Sequence, residues 1–248
     1  MLVTSFSAQG YEKYGRRFLQ SYITTEQQIP LIVYYEPDQP EKPLLPNISW
    51  MPITEITGFQ QTEALLGKDP QFRGLVRKGD KEQYTFRLDA YKFFRKVFVI
   101  TDAYHNASRS TRYLAWLDAD VEFTAKIPMT LPTLIFPRAA VLAYLGRSNM
   151  YSETGFVGFN LQEEGPLRRF MMSYASFYSS GAFTNLREWH DCMVFDTARM
   201  ISAVRSYSLS GPACESLYPW DETILQDWMR HNKGPERKEQ AYPLDEVA

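Results

Sequence analysis

The chain opens with a short apolar run, Leu2 to Phe6. A stripe of Tyr11, Tyr14, Phe18, Leu19 and Tyr22 follows at helical spacing, and then comes IPLIVYY from Ile29 to Tyr35. Strand, helix and buried strand in immediate succession constrain the chain more than any other feature. This is the opening of an α/β sheet, whose strands must be covered by helices to bury their apolar side chains. Pro37, Pro40, Pro43 and Pro46 then mark a loop, because each proline removes a backbone donor.

Further along, Phe59 to Leu66 is a short amphipathic piece. Gln83 to Lys96 has a helical pattern, with Tyr84, Leu88 and Tyr91 on one face. VFVI at Val97 to Ile100 fits either a strand or the buried end of that helix. Tyr113 to Leu117 (YLAWL) predicts a strand running straight into Asp118-Ala119-Asp120. Leu134 to Tyr144 holds two apolar runs broken by Pro137 and Arg138. Gly155 to Leu161 predicts a strand with glycines where backbone passes closely. Helices are expected over Leu167 to Tyr178, Cys192 to Tyr207 and Asp221 to Met229. The polar stretch from His231 onward predicts a surface loop. The expected organisation is one domain over 1–238, a mixed sheet flanked by helices, with a mobile tail over 239–248.

Charge and composition remove several classes. Lys plus Arg number 27 against 29 Asp plus Glu, so the net charge is -2, and nucleic acid would need a local cationic patch. Arg109 with Arg112, and Arg73 with Arg77 and Lys78, are the candidate patches, and a solvated face is the more usual explanation of such clusters. Two cysteines, Cys192 and Cys214, form no disulfide framework and fit a reducing compartment. The N-terminus lacks the pattern of a signal peptide, and no apolar run reaches the ~20 residues of a membrane helix. The expected location is the cytoplasm, the host's if the gene is a phage's. Aromatic residues make up 15% of the chain, which suits core packing as well as stacking on sugars or bases.

Two constellations carry chemistry. Asp118 and Asp120, two positions apart at a strand end, can serve one hard cation with positions left for phosphate oxygens. A solvated or helix-capping turn would show the same pair. His231 through Lys238 offers an imidazole, a glycine that lets backbone approach a diphosphate, and the cations Lys233, Arg237 and Lys238. Together they describe a site for a metal-bound nucleoside diphosphate, Mn²⁺ or Mg²⁺ being the suitable ions.

These residues, in this order, resemble GT-A fold nucleotide-sugar glycosyltransferases, in particular small single-domain ones of bacteria and phages. The resemblance covers roughly Leu2 to Lys238. It implies a metal-dependent enzyme that moves a sugar from a nucleotide diphosphate sugar, most often a UDP-sugar, to an acceptor hydroxyl. Carried over residue by residue, Asp118 faces the donor, directly or through water at the metal, and Asp120 and His231 hold the metal. Lys233 and Lys238 clamp the diphosphate, Thr4 and Phe6 line the nucleoside pocket, and Arg87 and Lys96 lie on the helix that faces the donor. Either of these last two cations could instead pair with an acid such as Asp89. The usual late pattern, H-x-x-G-x-x-K-P-W, is altered here: Arg237 stands where the lysine would be, Lys238 follows, and there is no Pro-Trp. The late clamp resembles retaining families more than inverting ones. Some phage relatives of this type glycosylate hydroxymethylated bases in DNA, so such a base is one acceptor to expect, beside glycans, lipids and proteins.

Two further segments contribute candidates. Glu153, in Glu153-Thr154-Gly155-Phe156, resembles the acceptor-side wall. Asp191, in Glu188-Trp189-His190-Asp191, is a candidate for the reacting centre or for a helix N-cap, and Trp189 for stacking on a sugar or base. Either acid would be the general base of an inverting enzyme. Cys192 reads as buried and inert, His190 as packed or solvated, His105 as surface, and Asp221-Glu222 as a capping pair. The alternatives are a metal-dependent nucleotidyltransferase or phosphohydrolase, although no Gly-rich phosphate loop is visible and Glu122 is the only nearby third acid, and a non-catalytic sugar-binding protein.

Overall fold

A computed structural model describes residues 1–38, 42–43, 45–137 and 140–233. In chain order, β1 (Leu2–Phe6) leads through a short helix α1 (Ala8–Gly10) and a π-helical stretch into α2 (Arg16–Thr24). Then come β2 (Leu31–Tyr35), β3 (Ile48–Pro52) and α3 (Phe59–Gly67). A hairpin, β4 (Leu75–Lys78) and β5 (Lys81–Tyr84), precedes the long α4 (Ala90–His105). After it follow β6 (Tyr113–Leu117), β7 (Val121–Phe123), α5 (Leu131–Ile135), β8 (Leu142–Leu145) and β9 (Glu153–Asn160). The last elements are α6 (Glu164–Ser179), α7 (Asp191–Ser202), β10 (Ser206–Ser208) and β11 (Met229–His231).

The main sheet has the order β10-β8-β9-β6-β1-β2-β3. β9 runs antiparallel to both β6 and β8, and every other pairing in this sheet is parallel. All eight residues of β9 are buried. Successive side chains on a strand face opposite sides, so the sheet divides two cores. Val3, Leu114 and Trp116 face the core built with α4, α6 and α7. Leu2, Phe6 and Leu117 face the one built with α2 and α5. The carboxyl ends of β1, β6, β8 and β10 therefore meet at one end, where the loops after them and the start of β9 come together.

Three expectations need correction, and one open alternative is decided. α4 begins at Ala90, not near Gln83, because the Asp89 side chain caps it by accepting from the Lys92 N–H at 2.8 Å. Tyr84 belongs to the hairpin, and Arg87 lies in a 3₁₀ turn ahead of the helix. Val97 to Ile100 are the buried middle of α4, since tertiary burial overrides the strand propensity of β-branched residues. α7 stops at Ser202, where Ala203 adopts the left-handed conformation, and the chain turns into the edge strand β10. Asp221 to Met229 is no helix but two 3₁₀ turns, pinned by the Trp220 indole N–H donating to the Met229 carbonyl.

The surface loop expected from His231 is likewise overturned at its start. His231 is 3% exposed and ends β11, which pairs antiparallel with β7. Gly234 onward, including Arg237, Lys238 and the expected tail, lies outside the described residues.

Candidate metal and donor site

Asp118 and Asp120 follow β6 at the carboxyl end of the sheet. The Asp118 N–H donates to the Gly155 carbonyl, which ties the turn to β9. β7 leads away from this turn, and its pairing with β11 delivers His231 to Asp120. The His231 Nε2 lies 3.0 Å from Asp120 Oδ1, and ligand atoms of Asp118, Asp120 and His231 lie within 4.8 Å of one another. Two carboxylates and an imidazole, so placed, fit one Mn²⁺ or Mg²⁺.

Each donor is held from behind. Asp118 Oδ1 accepts from the Trp116 indole and from Lys96 Nζ, each at 2.7 Å. The other ring nitrogen of His231, Nδ1, is 3.0 Å from Glu153 Oε1, and Lys233 Nζ is 3.2 Å from Glu153 Oε2. A carboxylate on the far nitrogen fixes tautomer and ring orientation in metal sites. Glu153 is 1% exposed. Burial alone would raise its pKa, but His231 and Lys233 hold it at about 2. Burial would lower the His231 pKa, but Asp120 and Glu153 raise it to about 9.

Gly155 is required here by close approach: a Cβ at this position would lie 2.6 Å from His231 Cε1 and 3.0 Å from Nδ1. Gly155→Ala should therefore displace the imidazole. Mn²⁺ affinity, measured by titration calorimetry, should fall by about 10-fold or more, at a stability cost of about 1–3 kcal/mol.

Lys96 joins this site to the next. Its ammonium, on the second turn of α4, bonds Asp118, Asp191 at 2.8 Å and the Thr154 carbonyl at 2.6 Å. Burial would lower its pKa, but the two aspartates hold it above the ordinary lysine value. Asp191 is the first residue of α7, and its cap is His190 rather than Asp191 itself. Its carboxylate also accepts from the Thr154 hydroxyl. Burial would raise Asp191, but Lys96 and that hydroxyl hold it at about 2. Both Asp191 and Glu153 have folded pKa values below their ordinary ones. The stability each contributes is present above about pH 4 and is lost as pH falls toward 2. An acid melt should thus weaken the fold between about pH 4 and pH 2, by on the order of 2 kcal/mol for Asp191; a melting temperature constant over that window would contradict the pairing.

The remaining expected residues fall variously. Thr4 and Phe6 share one face of β1. Phe6 is 5% exposed and packed against Tyr11 and Trp50, and the buried Thr4 hydroxyl has no partner among the described residues. Arg87 is not on the donor-facing helix; it pairs with Glu188 at 3.3 Å. Trp189 does not offer a stacking face: it is buried between Phe72 and Phe183. Glu122 is no third metal acid, since Arg230 and Asn232 occupy it. Cys192 is half-buried, and burial pushes its thiol up to about 12. Sequence reasoning missed Thr154, Trp116 and Glu188. Thr154 sits between two named residues, Glu153 and Gly155, and Trp116 sits two positions before Asp118; both positions were available as signals.

Arg109 and Arg112 precede β6, whereas the site follows it. At about 3.3 Å per strand residue Arg112 stands roughly 20 Å along the chain from Asp118, at the other end of β6.

No protein-family model and no curated protein sequence matches the chain. Many solved structures resemble it, among them the following two. Mouse xyloside xylosyltransferase 1, in its apo form, is 12% identical, with a TM-score of 0.50 over 84% of each chain. A glycosyltransferase involved in glycosylation of the major capsid of PBCV-1 is 13% identical, with a TM-score of 0.48 over 96% of this chain and 98% of that one. At 12% identity the likeness to the xylosyltransferase is one of fold alone, and that fold is the GT-A one.

Proposed function

We propose that this chain is a metal-dependent glycosyltransferase. It would transfer a sugar from a nucleotide diphosphate sugar, with UDP-sugars as the first donors to test, to an acceptor hydroxyl. One observation carries the reading: Asp118, Asp120 and His231 converge at the carboxyl end of β6, where open α/β sheets bind ligands. A bound divalent ion would supply Lewis-acid stabilisation of the departing diphosphate. Asp118, Asp120 and His231 would hold it, and Glu153 would keep the imidazole oriented. Lys233 stands beside the site on Glu153 and can turn to a phosphate oxygen; Lys96 holds Asp118 in place.

Asp191 and Glu153 are poor general bases. Each is buried, ion-paired and held near pKa 2, whereas an efficient base lies near the working pH. That supports a retaining reaction, which needs no strong base of this kind. With Arg109 and Arg112 at the far end of the sheet, a DNA acceptor loses one of its two supporting patches.

A thermal-shift panel of nucleoside diphosphates, nucleotide sugars and triphosphates, with and without Mn²⁺, tests the reading. A ligand that binds only the folded state raises Tm by mass action. The expected result is a manganese-dependent shift with one nucleoside diphosphate and its sugars. A shift with triphosphates alone would favour nucleotidyl transfer, and silence across the panel would favour a binding protein.

A further inference from the structure

Beside Asp191 lies a polar cluster that the transfer step does not use. Glu188, 4% exposed, accepts from the Tyr151 hydroxyl and lies 3.0 Å from His190 Nε2, 3.3 Å from Arg87 and 3.6 Å from Arg187. Burial would raise its pKa, but Tyr151, His190 and Arg87 hold it below the ordinary range. A third guanidinium, Arg147, donates from Nε to the Tyr151 carbonyl. These groups come from three separate segments: the turn before α4, the loop between β8 and β9, and the residues before α7. The Trp189 N–H donating to the Arg87 carbonyl fastens two of them together.

The charges do not balance. Among the described residues, Glu188 is the only carboxylate that Arg87 and Arg187 meet, and Arg147 meets none, in a chain whose net charge is -2. Arg87 and Arg187 are anchored at one edge while 60% and 75% of their side chains remain exposed, so most of their donors face solvent. Arginine matches phosphate and carboxylate with two parallel N–H bonds. Beside them Phe86 is 51% exposed, its ring 5.9 Å from that of His190, the residue before Asp191. An exposed aromatic face suits the apolar face of a sugar ring.

We infer that this rim is the acceptor subsite, and that the acceptor is an anionic saccharide. Its phosphate or carboxylate sits on Arg87, Arg147 and Arg187, and its ring lies against Phe86. The inference rests on the glycosyl-transfer reading and names its second substrate class.

The test uses the full chain loaded with Mn²⁺ and UDP, titrated with glucose 6-phosphate, glucuronic acid and methyl glucoside. At least one anionic sugar should bind about 10-fold or more tighter than the neutral glycoside, the range of a charge-assisted hydrogen bond. The preferred anion tells phosphate from carboxylate. In Arg147→Gln/Arg187→Gln the ratio of anionic to neutral affinity should fall toward one; because both sugars are read on the same protein, general damage to the fold does not imitate this. Equal affinities in the native chain, an unchanged ratio in the variant, or no binding by any of the three sugars would overturn the inference. The UDP shift is read in the same experiment. Its absence from the native chain would sink the glycosyl-transfer reading itself, whatever the sugars do.

Discussion

Asp120→Asn is expected to give a folded protein in which Mn²⁺ no longer strengthens the binding of UDP. Asp120 contributes one of two carboxylates to the site and faces His231 Nε2 at 3.0 Å. Its amide replacement has nearly the same shape but no charge and is a weak ligand for a hard cation. Loss of a merely supporting partner costs 10–100-fold in metal affinity, so loss of a direct ligand should cost more than about 100-fold. Calorimetric titration of UDP with and without Mn²⁺ reads the effect. The melting curve of the free protein reports the fold. A folded variant with unchanged manganese dependence would remove Asp120 from the site.

Lys96→Met should produce the largest loss of stability. The ammonium is the shared partner of Asp118 and Asp191, and the Asp191 side chain is only 6% exposed. Removing it leaves Asp191 charged and buried with only the Thr154 hydroxyl and the weak Cys192 thiol donor, or forces it to take up a proton. Breaking a buried pair on one side typically costs about 3–5 kcal/mol. In a chain of this size that lowers Tm by about 6–20 °C. Lys96→Met/Asp191→Asn should recover part of the loss, because it removes the stranded charge. A double variant as unstable as the sum of the two single variants would show that the pair does not couple.

The sheet was legible where strand and helix patterns were pure. Leu2–Phe6, the Tyr11 to Tyr22 stripe, YLAWL and GFVGFNL all fall in elements of the expected type. VFVI left strand and buried helix both open, because an apolar run buried on all sides shows no period. The stripe of Tyr84, Leu88 and Tyr91 imitated a helix across a hairpin end, a 3₁₀ turn and the true N-cap; Asp89 was the available signal. β11 was illegible in Met-Arg-His, since a strand of three residues exists only through its non-local pairing with β7.

The site was read as residues more than as partners. Asp118 and Asp120 stood out from their position after an apolar strand. His231 was picked out through the resemblance, but its burial and its bond to Glu153 depend on two strands far apart in the chain. Lys96 was named, yet Asp89 was offered as its acid; Asp118 and Asp191 are brought to it only by packing α4 and α7 against the sheet. Glu188 was given no role of its own, because Arg87 and Tyr151 reach it from other segments only through the tertiary fold.

On the proposed reading, Asp118, Asp120 and His231 serve to break the bond between a sugar and a nucleoside diphosphate. Slow hydrolysis of the donor in the absence of acceptor, followed by NMR on the full chain, tests it most directly. One UDP-sugar should be converted to UDP and free sugar only when Mn²⁺ or Mg²⁺ is present, and His231→Ala should abolish the conversion. Turnover that persists in chelator or in the His231 variant would contradict it, as would release of pyrophosphate from a triphosphate with every nucleotide sugar left intact.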